Sequence, residues 1–145
     1  FLKAAIEETE HVSDATVTKL RKSMMIDYKL FVEKDTEGAI ELRKARLPEG
    51  WEQNTNALNA FAWWCFENQV NLDEAESLAR QGTELAEDGE SKAMILDTLA
   101  EICNLRGSCR DAVLYIEMAI ESDPDRPYYK KQLERFQKEL ASQGE

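Results

Sequence analysis

The 145 residues contain a single histidine, His11, with three prolines and six glycines. So few chain breakers argue against a loop-rich or disordered chain. Cysteine is scarce as well. Cys65, Cys103 and Cys109 form no C-x-x-C pair and no zinc spacing, so the chain carries no dithiol redox motif of its own. Neither a glycine-rich phosphate loop nor a nucleophile elbow occurs. The greasiest stretch, residues 59–66, is far short of the about 20 residues that cross a bilayer, so no membrane insertion is expected. Cations are outnumbered: 18 Lys and Arg against 29 Asp and Glu leave a net charge of −11. Such a surface repels a phosphate backbone, which argues against nucleic acid as a partner, and it favours solubility. The chain begins at Phe1 without a charged-then-apolar leader, so a fragment or processed product is expected. His11 is read as a surface or packing residue, and the acid pairs Glu7/Glu8 and Asp73/Glu74 as solvated charge. With no catalytic constellation, the expectation is a non-enzymatic segment without cofactor or metal.

What the sequence does have is helical periodicity. Hydrophobic residues make up 43% of the chain, enough for a continuous core in one domain, residues 1–145. A leading helix is expected over residues 1–12. The next helix, capped by Ser13 or Asp14, carries Val17, Leu20, Met24, Tyr28 and Phe31 at helical spacing. A break at residues 34–38 precedes a helix that ends at Pro48. From Asn54 the pattern sharpens into helix pairs over residues 54–88 and 91–124. In each, a short polar residue precedes an acid three places on, Asn71 with Glu74 and Ser108 with Asp111, the arrangement of a capping box. A last helix over residues 127–142 carries Leu133, Phe136 and Leu140 on one stripe.

Equivalent residues return every 37 positions. Leu58 matches Ile95, Ala62 matches Leu99, and Cys65 matches Ile102. In the second helices Ala75 matches Ala112, Ala79 matches Ile116, and Gly82 matches Ala119. One step back, Leu20, Met25 and Tyr28, then Gly38, Leu42 and Ala45, suggest a degenerate pair over residues 13–50, with Lys34 where a cap belongs. In the last pair Leu96, Leu99, Ala100, Cys103, Ala112, Ile116 and Pro124 stand at tetratricopeptide spacings, with smaller apolar residues in place of that family's Trp, Tyr and Phe. The chain thus resembles a tetratricopeptide repeat. The resemblance implies an all-α fold, a right-handed superhelix of antiparallel pairs: about three pairs plus a polar-faced helix that closes the open end.

That family lines a concave groove with its first helices. On this chain the resemblance picks out Ala57, Ala60, Trp64, Glu67 and Asn68 from one helix, and Met94, Asp97, Glu101, Asn104 and Leu105 from the next. These ten positions are acidic and aromatic, with no Lys or Arg. The family's clamp for a carboxylate terminus is therefore absent, and the implied partner is a basic or amphipathic peptide, or an attached domain. Trp63 is expected largely inside, aligned with Ala100. Trp64 either faces the groove or packs on the preceding pair. Cys103 and Cys109 face each other across a turn, so they are core thiols or a bridge in an oxidising compartment.

Phe1-Leu-Lys-Ala-Ala5 resembles the last helix of thioredoxin-like domains. The stretches Leu58–Trp63 and Leu96–Glu101 resemble the helical repeats that follow such domains in some bacterial proteins. This resemblance implies an accessory C-terminal domain of a thiol–disulfide enzyme with its active site upstream. Bacterial cytoplasm and periplasm both stay open.

Overall fold

The structure, a computed structural model, describes residues 1–144. Among them it is all-helical, without strands. The eight α-helices are α1 (Leu2–Glu8), α2 (Ala15–Asp27), α3 (Thr36–Lys44), α4 (Thr55–Asn68), α5 (Leu72–Leu85), α6 (Glu90–Leu105), α7 (Cys109–Ser122) and α8 (Pro127–Gln143). A π-helical segment, Tyr28–Glu33, continues α2, and a 3-10 turn, Trp51–Gln53, precedes α4. The chain divides into two compact units, residues 1–47 and the residues from Pro48 onward.

In the first unit, Asp14 caps α2. Its carboxylate accepts from the backbone N–H groups of Thr16 at 2.9 Å and Val17 at 3.0 Å, two donors with no partner inside the helix. Arg21 reaches back to the Thr9 and Val12 carbonyls, tying the turn after α1 to α2. The π segment ends at Lys34, whose φ of 59° lies in the left-handed region. Asp35 then caps α3: it accepts from the Gly38 N–H at 2.9 Å and pairs with Lys29 Nζ at 2.6 Å. The repeat spacing put this cap at Lys34. A lysine has no oxygen to accept the free N–H groups, and the cap falls one residue later. The buried small residue shifts with it, from Gly38 to Ala39. Glycine at 38 serves the cap instead, because a Cβ there would collide with the Asp35 carboxylate. The step from the first pair to the second is therefore 36 residues, Asp35 to Asn71 and Ala39 to Ala75. In the helix before it, Ile26 and Leu30 are buried, whereas Leu20, expected in the core, is 58% exposed and Met25 is also exposed.

In the second unit α4 and α5 form one hairpin and α6 and α7 another, each closed by a turn of three residues. The second turn ends α6 as a Schellman motif: Gly107 takes φ 87°, its N–H bonds the Asn104 carbonyl at 2.9 Å, and the Ser108 N–H bonds the Cys103 carbonyl at 2.8 Å. The first turn uses Gln69 and Asn71 at positive φ. Asn71 and Ser108 do stand at the N-cap positions, yet neither side chain caps its helix, so the expected capping boxes do not form. Left-handed backbone at Asn71 turns its side chain away from the free N–H groups, and its amide donates to Glu74 Oε2 instead.

Packing within this unit follows the 37-residue step. Leu58 and Ile95, Ala62 and Leu99, Cys65 and Ile102, Ala75 and Ala112, and Ala79 and Ile116 are all fully buried pairwise equivalents. Gly82 in α5 is buried against α6: a Cβ there would run into Ile95 Cδ1. Helix α8 starts with Pro127, whose missing N–H costs nothing at a first turn. It packs on α7 and buries Tyr129 and Phe136. It also buries a polar residue, Gln132, on the side that faces α6.

Candidate functional site

Helix α6 is the centre of the second unit. Every residue from Ile95 to Cys103 is buried, including three polar ones, Asp97, Thr98 and Glu101. Burying polar groups without partners costs free energy, so the partners define this face. From α4, Asn59 Oδ1 accepts the Thr98 hydroxyl at 2.6 Å. From α8, Gln132 Nε2 donates to Asp97 Oδ1 at 3.3 Å and to Glu101 Oε1 at 2.7 Å. The Arg135 guanidinium binds Glu101, and Asn104 donates to Glu139 one turn further on. A ladder of polar contacts thus joins α4, α6 and α8.

Beside the ladder lies a cleft of about 480 Å³. Helix α4 contributes Asn56, Asn59, Ala60 and Trp63; α6 contributes Met94, Asp97 and Thr98; Tyr128, Tyr129 and Arg126 close it from the start of α8. The Tyr128 and Tyr129 rings meet edge to face with centroids 5.5 Å apart. Arg126 lies over the Tyr129 ring, 5.7 Å from its centroid, and its guanidinium donates to Glu90 at 3.0 Å.

Asp97 is the anomalous group in this cleft. It is only 7% exposed. Burial pushes its carboxyl up to about 6, and the neighbouring Glu101 charge adds to that, while hydrogen bonds from Gln132 and Tyr128 and the charge of Arg135 pull it down. Its hydrogen-bond partners are neutral donors, and the cation on that side, Arg135, is bound to Glu101. Desolvation likewise lifts the Tyr128 phenol to about 12, reinforced by the Asp97 and Glu101 charges. A buried carboxyl with raised proton affinity, set in a cleft lined by aromatic rings, marks this cleft as the candidate site.

The ten groove positions divide. Ala60, Met94 and Asp97 line the cleft together. Glu101 and Asn104 are engaged by α8. Ala57 is buried, Glu67 and Leu105 are exposed, and Asn68 donates to the Trp64 carbonyl at 2.8 Å. Trp64 is half-buried and stacks on Phe61, which in turn meets Trp51 from the 3-10 turn. Trp63, expected inside, is half-buried and lines the cleft, whereas its equivalent Ala100 in the next hairpin is fully buried. The face is also not free of cations: α8 brings Arg126 and Arg135 to it. The positions expected on α4 and α6 leave out the residues that α8 brings to this face. The signal was the placing of Tyr128, Gln132 and Arg135 at one helical face. The three cysteines are free and buried; the Cys109 thiol donates to Asn104 Oδ1 at 3.2 Å, and burial lifts the Cys103 thiol to about 11.

Compared with known proteins, the chain matches no family model, no curated protein and no solved structure. No helix among the described residues is long and apolar enough to cross a membrane.

Charge separates sharply along the chain. Residues 1–47 hold nine acidic and nine basic side chains and are neutral, so residues 48–145 carry the whole −11. The cleft therefore sits in the acidic part.

Proposed function

We propose that this chain is a non-catalytic, tetratricopeptide-like interaction module. Its pairs follow one another as a right-handed superhelix, and the α4–α6–α8 face holds a basic or amphipathic segment of another protein, or of an attached domain. One observation carries this reading: the strongly acidic part of the chain opens a cleft in which Asp97, bonded to neutral donors, stands among aromatic and apolar side chains. A cation from a partner would supply the charge that this carboxylate lacks, and an amphipathic segment would cover Met94 and Tyr128, both substantially exposed.

The test is calorimetric titration with a Lys/Arg-rich amphipathic helical peptide, beside the same peptide with Lys and Arg replaced by Glu. Saturable binding of the basic peptide that weakens with added salt, and none of the acidic one, is expected. Equal binding of both peptides would overturn the proposal.

A further inference from the structure

We infer that the cleft between α4, α6 and the start of α8 is a pocket for one arginine side chain of the bound partner. This rests on the proposed interaction role and narrows it. Charge complementarity comes first. Asp97 offers a carboxylate whose Oδ1 accepts from neutral Gln132, and the neutral Tyr128 hydroxyl is its other polar neighbour. Among the described residues, Arg126 is the one cation lining the cleft, and it is met by Glu90. From α4 the cleft receives only neutral side chains, Asn56, Asn59 and Trp63 among them. The unmatched charge in the cleft is therefore that of Asp97. Glu101, on the same helix, is already matched by Arg135.

The walls select the kind of cation. Trp63 and Tyr128 present flat rings, against which a planar, weakly hydrated guanidinium stacks better than a compact, strongly hydrated ammonium. The same wall already carries such a contact, Arg126 over Tyr129. A guanidinium also presents paired N–H donors to a carboxylate, which an ammonium does not match in geometry. Met94, exposed at the rim, fits the aliphatic stem of an arginine.

The experiment is an NMR titration of the full chain at pH 7.5 and low salt with three probes: n-butylguanidinium, n-butylammonium and n-butanol. Saturable shifts at the Trp63 indole and Met94 methyl are expected with butylguanidinium, weaker ones with butylammonium, and none with butanol. Asp97→Asn should weaken butylguanidinium about tenfold or more, the size of a lost charge-assisted hydrogen bond. Tyr128→Leu, at an exposed residue, should weaken it by a smaller factor and leave the fold intact. Butanol shifts equal to those of butylguanidinium, unchanged binding in Asp97→Asn, or tighter binding of butylammonium would each overturn the arginine pocket. A basic peptide that binds the wild type and Asp97→Asn alike would remove this pocket while leaving the wider interaction role standing.

Discussion

Gln132 of α8 places its amide nitrogen 2.7 Å from Glu101 and 3.3 Å from Asp97, so one neutral side chain joins the last helix to two buried carboxylates on α6. Apolar packing alone does not require a glutamine at a buried position. Its role is to satisfy acceptors that α6 turns toward α8. Replacing Gln132 with Ala removes those hydrogen bonds, at an expected cost of about 1–3 kcal/mol. Gln132→Glu should cost more at pH 8 than at pH 5, because it sets a third carboxylate beside the pair. Thermal unfolding of both variants checks this, and midpoints equal to wild type would contradict the ladder.

The carboxyl of Asp97 is lifted to about 6 from an ordinary value of 3.8. A raised carboxyl value means that the native state holds a proton the unfolded chain has already lost. The contribution of Asp97 to stability therefore falls as pH rises from about 4 to about 6, and its full cost is present above that window. Asp97→Asn removes the buried charge. The variant should be more stable than wild type at pH 8 by about 2–3 kcal/mol, since each tenfold difference in proton affinity is worth about 1.4 kcal/mol, and about equal to it at pH 4. Denaturant unfolding at the two pH values measures both. A variant less stable at pH 8 would contradict the assignment.

Close approach of α5 and α6 depends on Gly82. Adding a methyl there improves helix propensity by about 1 kcal/mol but collides with Ile95 Cδ1. Gly82→Ala should therefore destabilise the chain on its own. In an Ile95→Val background, which removes that Cδ1, the same substitution should be neutral or stabilising. A double-mutant cycle by chemical denaturation reads the coupling directly.

Ala112 is fully buried in α7. Ala112→Leu forces additional atoms into a filled space, costing roughly 1–3 kcal/mol. A clear drop in melting temperature is expected; an unchanged melt would show that Ala112 is not at a close contact.

The thiols make a separate forecast. Cys103 is deeply buried, with its thiol pushed to about 11, and Cys65 and Cys109 are buried too. Native protein should react slowly with thiol reagents, and three thiols should be counted after unfolding, with or without reductant. A count of one without reductant would reveal a bridge between two of them.

Much of the second unit was legible because its signal is local and repeated. Ala75 and Ala112, or Cys65 and Ile102, recur at one step, and a helix hairpin has one way to bury such a stripe. The first unit was harder. Its step is 36 rather than 37, and only the cap chemistry of Asp35 against Lys34 marks the difference. Within the site, Asp97 and Glu101 stood out on the groove face of α6. Their partners were harder to see: Gln132 and Arg135 lie more than 30 residues away, and although they share one face of α8 with Tyr128, periodicity does not say which helix that face meets. Trp63 stands half-buried at the cleft where the next hairpin has the buried Ala100, so an aligned position does not by itself fix the burial of a much larger side chain.

The most direct measurement is the titration of the Asp97 carboxyl by carbon-13 NMR, in the free protein and with a saturating arginine-rich peptide. The predicted midpoint lies near 6 in the free chain and falls when the peptide is bound, because a cation against the carboxylate favours its ionised form. A midpoint near the ordinary 3.8 in the free chain, or one that the bound peptide leaves unmoved, would contradict the arginine-binding role of this cleft.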